Sequence, residues 1–436
     1  MTDRWSQRLW LVAFLLLCSV STLQALRIAV DLGDSLSPTA PYAEANALRE
    51  VDGFRAQGLW HDFGLGNVLF GHRFADEGFL GHPEDLARSV SLSGVYTHYP
   101  PGPEYLLYVA ELIFGPNSIR LLRLLPIVIG WAAALYFGLS VRRRFGHGTG
   151  WLVMLACVAL PPFHDANVSL HLFGYALALV LVELGLCLRQ RNGWAVLALV
   201  GFLQGWLSFD YVFLVTLIPL ALELAMQRIV PEQPARARTG LKRSFAAGAG
   251  FAAAHVLHLG QVAAYYGSLP HALADMGSAA AFRAGQTEAH GLLEHAQQGL
   301  WIVSWYALSP YPVSLPFYQP DAEYDYADFI FRFLGLTMAA WCVVGVIALG
   351  LARTAGGRRT GGRSPVAGWL TINLLGLAVC SVWMLAMQNH ALVHIQVLYR
   401  HLFFWFFLAL LFFAVRLAHW LPGGGGGPEG QNGPRA

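Results

Sequence analysis

The chain predicts an all-α polytopic membrane protein of about ten transmembrane helices, with a large outer first loop that contains interfacial helices. Three observations carry this. Of 436 residues, 56% are hydrophobic and only 12% charged, against roughly 25% charged in soluble domains. Apolar runs of about 18 or more residues recur, the length that crosses a bilayer as helix, whereas barrel strands would be short alternating segments. Basic residues fall in short blocks between those runs, and such blocks mark the cytoplasmic side. The net charge of +2 therefore reports topology and gives no nucleic-acid signal.

The elements follow in order. Residues 9–30 form the first apolar run, behind Arg4 and Arg8. The run is long for a signal h-region and lacks a small-residue cleavage site, so 1–30 reads as a first transmembrane anchor. Residues 31–118 then form an outer loop. It closes on Tyr96-Thr-His98-Tyr99-Pro100-Pro101-Gly102-Pro103-Glu104. The double proline fixes two φ angles and holds Tyr99 extended, so helix starts only at Pro101 or Gly102. That helix aims free N–H groups and its positive end back toward His98, a seat for a lipid phosphate.

Residues 104–115 are too short to span and carry Glu104 and Glu111, so they read as a half-helix in the outer interface. Spans at about 119–140, 150–162, 170–188, 193–209, 211–227, 245–265, 328–352, 366–386 and 402–420 then alternate cleanly. A transmembrane core covers 119–265, a second outer loop 266–327 and C-terminal transmembrane helices 328–421. Arg142 to Arg144, Arg189, Arg191 and the basic residues of 228–243 and 353–363 all land in the cytoplasm, as do both termini. The Gly- and Pro-rich tail 422–436 cannot bury a core and is expected to be disordered. All five cysteines (Cys18, Cys157, Cys187, Cys342, Cys380) lie in apolar runs with no Cys-x-x-Cys. Neither disulfides nor a zinc knuckle is indicated.

This topology gathers the reactive side chains on one side. Of sixteen histidines, all but His147 and His419 fall in outer loops or the outer half of a span. Polar residues collect in loops anyway, and histidine populates membrane interfaces. That bland account fits poorly with Asp210, between two apolar runs, and with His255 and His258, inside a span. Ionisable groups at such depth usually face a wet cavity. An outward polar cavity lined by His164, Asp165, Asp210 and His258 is therefore expected. His164-Asp165 reads equally well as a polar turn between adjacent spans.

His98 reads as a phosphate or metal contact, with Tyr99 beside it; the competing reading is an interfacial histidine made rigid by Pro-Pro. Near the end, His390, His394 and His401 stand at i, i+4 and i+11, one face if helical. As a divalent-metal set they are weak candidates, and an aromatic-belt segment is the stronger reading. Arg400, just outside a span, suits a lipid-linked phosphate better.

The order of these features resembles a known family. One span, a long outer loop, the His/Pro-Pro element, a short helix ending Leu-Ile-Phe-Gly, Arg120-Leu-Leu-Arg123-Leu-Leu-Pro and a span ending Arg-Arg-Arg-Phe-Gly look like the GT-C superfamily of integral-membrane glycosyltransferases. The likeness is to the bacterial relatives of protein O-mannosyltransferases and lipid A aminoarabinose transferases, and it covers about residues 9–265. Gly201-Phe-Leu-Gln-Gly205-Trp-Leu-Ser-Phe-Asp-Tyr resembles a later Gly-rich span of that family.

The resemblance implies inverting transfer of a sugar from a polyprenyl-phosphate donor to a lipid, glycan or protein acceptor. The reaction would occur on the outer, periplasmic face of the inner (plasma) membrane. Family members carry a carboxylate near the start of the first outer loop, usually in an Asp-Glu pair followed by Tyr. Here Ala40-Pro41 precede Tyr42 instead. The carboxylates nearby are Asp34, the first choice for the base, then Asp31 and Glu44; Asp34 also suits a turn or helix cap. His98, Arg400 and Tyr99 would hold the donor phosphate.

Two other classes stay open. A catalytically altered partner in cell-envelope polysaccharide assembly would keep the fold without the acidic pair. A lipid-linked-sugar transporter is less well supported, because the chain shows no internal repeat.

Overall fold

The computed structural model describes residues 41–70, 94–116, 118–159, 169–189, 193–230, 237–284, 345–346, 365–388, 390 and 395–420, together with Val12, Leu15, Ser19, Leu23 and Gln297. Those residues are overwhelmingly helical. The expected span at 328–352 and the tail lie outside the described residues, apart from residues 345 and 346.

Helix α1 (Pro41–Gln57) has proline at its first position, Glu44 in its first turn and Arg55 in its last. Each suits the local end of the helix dipole. It packs Ala45, Leu48 and Val51 against Leu107 and Ala110 of α2 (Gly102–Phe114). Helix α2 starts directly after the Pro-Pro step, as expected. A Cβ at Gly102 would overlap the Trp206 carbonyl, so glycine permits the close approach. The opposite face of α2 exposes Val109, Leu112 and Ile113 at 50%, 66% and 68%. That division leaves one apolar face of α2 uncovered by the described residues.

Helices α3 (Ile119–Leu122) and α4 (Leu124–Phe145) form one near-continuous apolar rod. Then follow α5 (His147–Ala159), α6 (Leu172–Arg189) and α7 (Trp194–Leu207). A 3₁₀ turn at Phe209–Tyr211 leads into α8 (Val212–Ile229), and α9 (Ala237–Tyr266) is the longest helix described. Among the described residues, three segments are long and apolar enough to cross a membrane: Ile119–Phe145, Phe209–Ile229 and Val366–Ala386.

Small residues bring helix backbones together. A Cβ at Gly201 of α7 would strike the Ala247 carbonyl of α9, and one at Gly250 would strike the Ala198 carbonyl. Close approach of this kind is how membrane helices gain packing without a hydrophobic driving force. On the side of the basic blocks, Arg243 of α9 meets Glu223 of α8 at 2.8 Å and donates to the Cys187 carbonyl of α6.

Within the segment expected as the second outer loop, α10 (Leu269–Arg283) is helical, with Ser268 as its N-cap and Pro270 in its first turn. Helices α11 (Pro365–Ala386) and α12 (Ile395–Trp420) complete the described elements. Trp369, Trp383, Phe403, Phe404 and Phe412 are fully buried in the main core.

Candidate active site

The site is built on residues 94–101. Tyr96 N–H donates to the Gly66 carbonyl at 2.8 Å and Val68 N–H to the Gly94 carbonyl at 3.0 Å. The two strands of chain are thereby tied before Pro100-Pro101 turns the second into α2. Past the tie the chain bends at His98 and Tyr99, which stacks the Tyr99 ring on that of Tyr96, 5.9 Å away.

Thr97 and His98 are held by two helices, α9 and α10. The Thr97 carbonyl accepts from His258 Nε2 of α9 at 2.9 Å, which requires the proton on that nitrogen. Thr97 Oγ1 donates to Asp275 Oδ2 of α10 at 2.6 Å. His98 Nε2 lies 3.3 Å from Asp275 Oδ1, and Tyr266 O–H donates to Asp275 Oδ2 at 3.3 Å. Partial burial would raise the Asp275 pKa, yet hydrogen bonds from His98 and Thr97 hold it below the usual carboxylate value. Asp275 is an anion at neutral pH.

Tyr99 points into a second group. Its hydroxyl lies 3.0 Å from His390 Nε2, and that nitrogen is 3.4 Å from Asp210 Oδ1. Arg283, at the last turn of α10, lays its guanidinium 4.8 Å from the Tyr99 ring centre and 4.6 Å from that of Phe209. Arg283 is only 8% exposed. Among the described residues no carboxylate stands within ion-pair distance of it. Two aromatic faces, together with the nearby Tyr99, Tyr96 and Asp210, stabilise its charge against the cost of burial. A buried cation so placed, next to groups able to donate hydrogen bonds, suits an anionic ligand.

The Phe209–Tyr211 turn that carries Asp210 is itself braced. Ser208 Oγ accepts from Asp210 N–H at 3.1 Å, and His401 Nε2 donates to the Asp210 carbonyl at 3.1 Å. His401 is sandwiched between Tyr211 and Trp383, with ring centres 5.6 and 5.0 Å away.

The expected residues thus separate. His98, Tyr99, Asp210, His258 and His390 converge on one region, through two hydrogen-bonded groups that share residues 97–99 and α10. His401 reaches the same turn from behind. The common helical face expected for His390, His394 and His401 runs through residues 391–394, which lie outside the described residues; His390 is helical and His401 lies on α12. His390 and His401 spend their Nε2 atoms on Tyr99, Asp210 and a carbonyl. Among the described residues no three His, Cys, Asp or Glu side chains form a metal set. Asp31, Asp34, His164, Asp165 and His394 lie outside the described residues, as does the side chain of Arg400.

Glu44 has a different setting. Its carboxylate takes both terminal nitrogens of Arg123, at 3.0 and 2.9 Å, and the Leu170 N–H at 2.8 Å, with Glu44 and Arg123 both fully buried. The carboxylate is occupied in joining α1, α3–α4 and the start of α6.

Sequence reasoning passed over Arg283, Asp275 and a second acidic pair. Glu50 of α1 and Glu104 of α2 are 5% and 7% exposed. Burial raises the Glu104 pKa to about 7, and burial together with the nearby Glu104 charge pushes Glu50 well above its ordinary value. The available signal for α10 was Ser268-Leu-Pro270, a cap followed by a first-turn proline. For Glu104 it was the Pro-Pro step beside it.

No family model and no curated protein matches the sequence. Solved structures with a related chain course exist. The apo oligosaccharyltransferase of Archaeoglobus fulgidus is 15% identical with a TM-score of 0.42, over 91% of this chain and 50% of that one. The oligosaccharyltransferase AglB of the same organism, in complex with an inhibitory peptide and a dolichol-phosphate, gives 16% and 0.41 over 90% and 50%. Apo ArnT from Cupriavidus metallidurans gives 14% and 0.35 over 93% and 78%. The chain spans about half the length of the oligosaccharyltransferase chains.

Proposed function

We propose that the protein transfers a sugar from a polyprenyl-phosphate donor to an acceptor at the outer face of the membrane, with inversion at the anomeric carbon. The observation that carries this reading is Arg283, buried over Tyr99 and Phe209 beside His390 and Asp210. A glycosyl phosphate needs its departing oxygen neutralised as the anomeric carbon gains oxocarbenium character. Arg283 would supply the charge, and the Tyr99 hydroxyl a hydrogen bond. Asp210 and His390 would position Tyr99. Arg400 remains a proposed second cation for the same phosphate, and Asp34 and Asp31 the proposed carboxylates of the first loop. His164, Asp165 and His258 would line the acceptor side of the cavity. The basic blocks support a topology in which this region would face outside and both termini the cytoplasm.

The test uses the full chain in lipid nanodiscs with a polyprenyl phosphate bearing a labelled hexose or pentose. Binding that depends on Arg283, with transfer to an acceptor in an envelope extract, is the expected result. Binding that is identical in Arg283→Ala would overturn the reading. One observation favours a second reading: Glu44, the described carboxylate nearest the family's usual position, is consumed by Arg123. A GT-C-like partner that binds the lipid-linked sugar without turning it over would show Arg283-dependent binding and no transfer.

A further inference from the structure

The pair His98 and Asp275 has the form of an oriented acid–base group. Asp275 is fixed by Thr97 and Tyr266 at 2.6 and 3.3 Å, and Thr97 is in turn fixed by His258 at 2.9 Å. An anionic carboxylate can only accept, so the 3.3 Å contact to His98 requires the proton on Nε2. The other nitrogen, Nδ1, then carries the basic lone pair, and it makes no hydrogen bond to the described residues. This is the arrangement in which a carboxylate sets both the tautomer and the ring orientation of a histidine base.

Position supports the same use. His98 is the direct neighbour of Tyr99, which touches Arg283, and Asp275 lies on the same helix as Arg283, eight residues earlier. That is about 12 Å along the helix axis, and the rings of Tyr96 and Tyr99 line the way from His98 to Arg283. The Pro100-Pro101 step restricts the backbone of Tyr99.

We propose that His98 is the proton acceptor for the incoming hydroxyl and that Asp275 is its positioning residue. This rests on the transfer reaction proposed above. In the step, the acceptor O–H bond breaks and its proton passes to His98 Nδ1. The oxygen bonds the anomeric carbon, and the carbon–oxygen bond to phosphate breaks with its electron pair leaving on the polyprenyl phosphate. His98 then returns the proton to water on the outer side. His258 on α9, Tyr266 at its end, Tyr96 on the same strand and Asp275 on α10 are the titratable groups around the imidazole.

Two measurements test it. The first compares turnover and donor binding for His98→Gln, Asp275→Asn and Asp34→Asn across pH. His98→Gln should lower kcat by about a hundredfold or more and abolish the rise of kcat with imidazole deprotonation, a loss larger than any change in donor affinity. Asp275→Asn should lower kcat less, with donor affinity unchanged. If His98→Gln keeps the rate and the pH limb while Asp34→Asn loses turnover, the base is the carboxylate and the proposal is overturned.

The second measurement is independent of activity: histidine ¹⁵N spectra of the wild type in nanodiscs, assigned by the signal missing in His98→Gln. A protonated Nε2 and bare Nδ1 are expected, shifting toward the other tautomer in Asp275→Asn. A protonated Nδ1 in the wild type would refute the orientation argument. Absence of any transfer by the wild type would sink the parent reading and the base assignment with it, while the spectra would still report the pair.

Discussion

Glu44 and Arg123, 79 positions apart, form a fully buried bidentate ion pair. The Leu170 N–H completes the carboxylate's partners. Two charges this deep are tolerated only because each satisfies the other in a fork-to-fork geometry.

Removing one partner therefore leaves an uncompensated charge. Glu44→Gln should destabilise the protein by about 3–5 kcal/mol, read as a fall in the thermal midpoint in detergent. Glu44→Gln combined with Arg123→Met should recover part of the loss, since the orphaned cation is gone. A single variant as stable as the wild type would show that the pair does not hold α1 against α4.

Arg283 should govern donor affinity. Its loss removes a charge-assisted contact worth about 1.5–3 kcal/mol, so Arg283→Ala should weaken binding of a polyprenyl phosphate roughly ten- to a hundredfold. Arg283→Lys should rescue little, because an ammonium cannot lie flat over Tyr99 and Phe209 as a guanidinium does. Titration by fluorescence or calorimetry in nanodiscs decides it, and equal affinity of the lysine variant would contradict the stacking argument.

The Glu50–Glu104 pair should make stability fall as pH rises. Burial raises Glu104 from 4.5 to about 7, and Glu50 is raised as well, so the folded state binds protons more tightly than the unfolded chain. The sign follows from linkage: the extra stability is complete below about 4.5 and is lost as pH climbs through about 7. The thermal midpoint of the wild type should decline between those values. Glu104→Gln, uncharged throughout, should flatten that decline and be the more stable protein at pH 8. A decline of the same slope in Glu104→Gln would place its origin elsewhere.

The basic blocks predict sidedness. In a background without native cysteines, Ser91→Cys should react with an impermeant maleimide from outside, and Gly148→Cys only after permeabilisation. Outside labelling of Gly148→Cys would turn residues 104–115 into a span and reverse every later helix.

The sequence alone determined the helical segments, because hydrophobic runs and their basic borders are local signals. Each expected span among the described residues is a helix, and α2 begins at Gly102 because Pro100-Pro101 forbids an earlier start. It also singled out His98, Tyr99, Asp210, His258 and His390, since polar residues in or beside apolar runs are conspicuous in one dimension. Tertiary structure alone decided their partners. His98 meets Asp275 across 177 positions and Tyr99 meets His390 across 291. Arg283 ends an alanine-rich helix with nothing local to mark it, and Glu44 looked as available as any other acid in its loop. Which charge is spent on structure and which is left to face a ligand depends on helix packing over such separations. The hydrophobic pattern specifies that each helix is apolar but says little about which helices become neighbours.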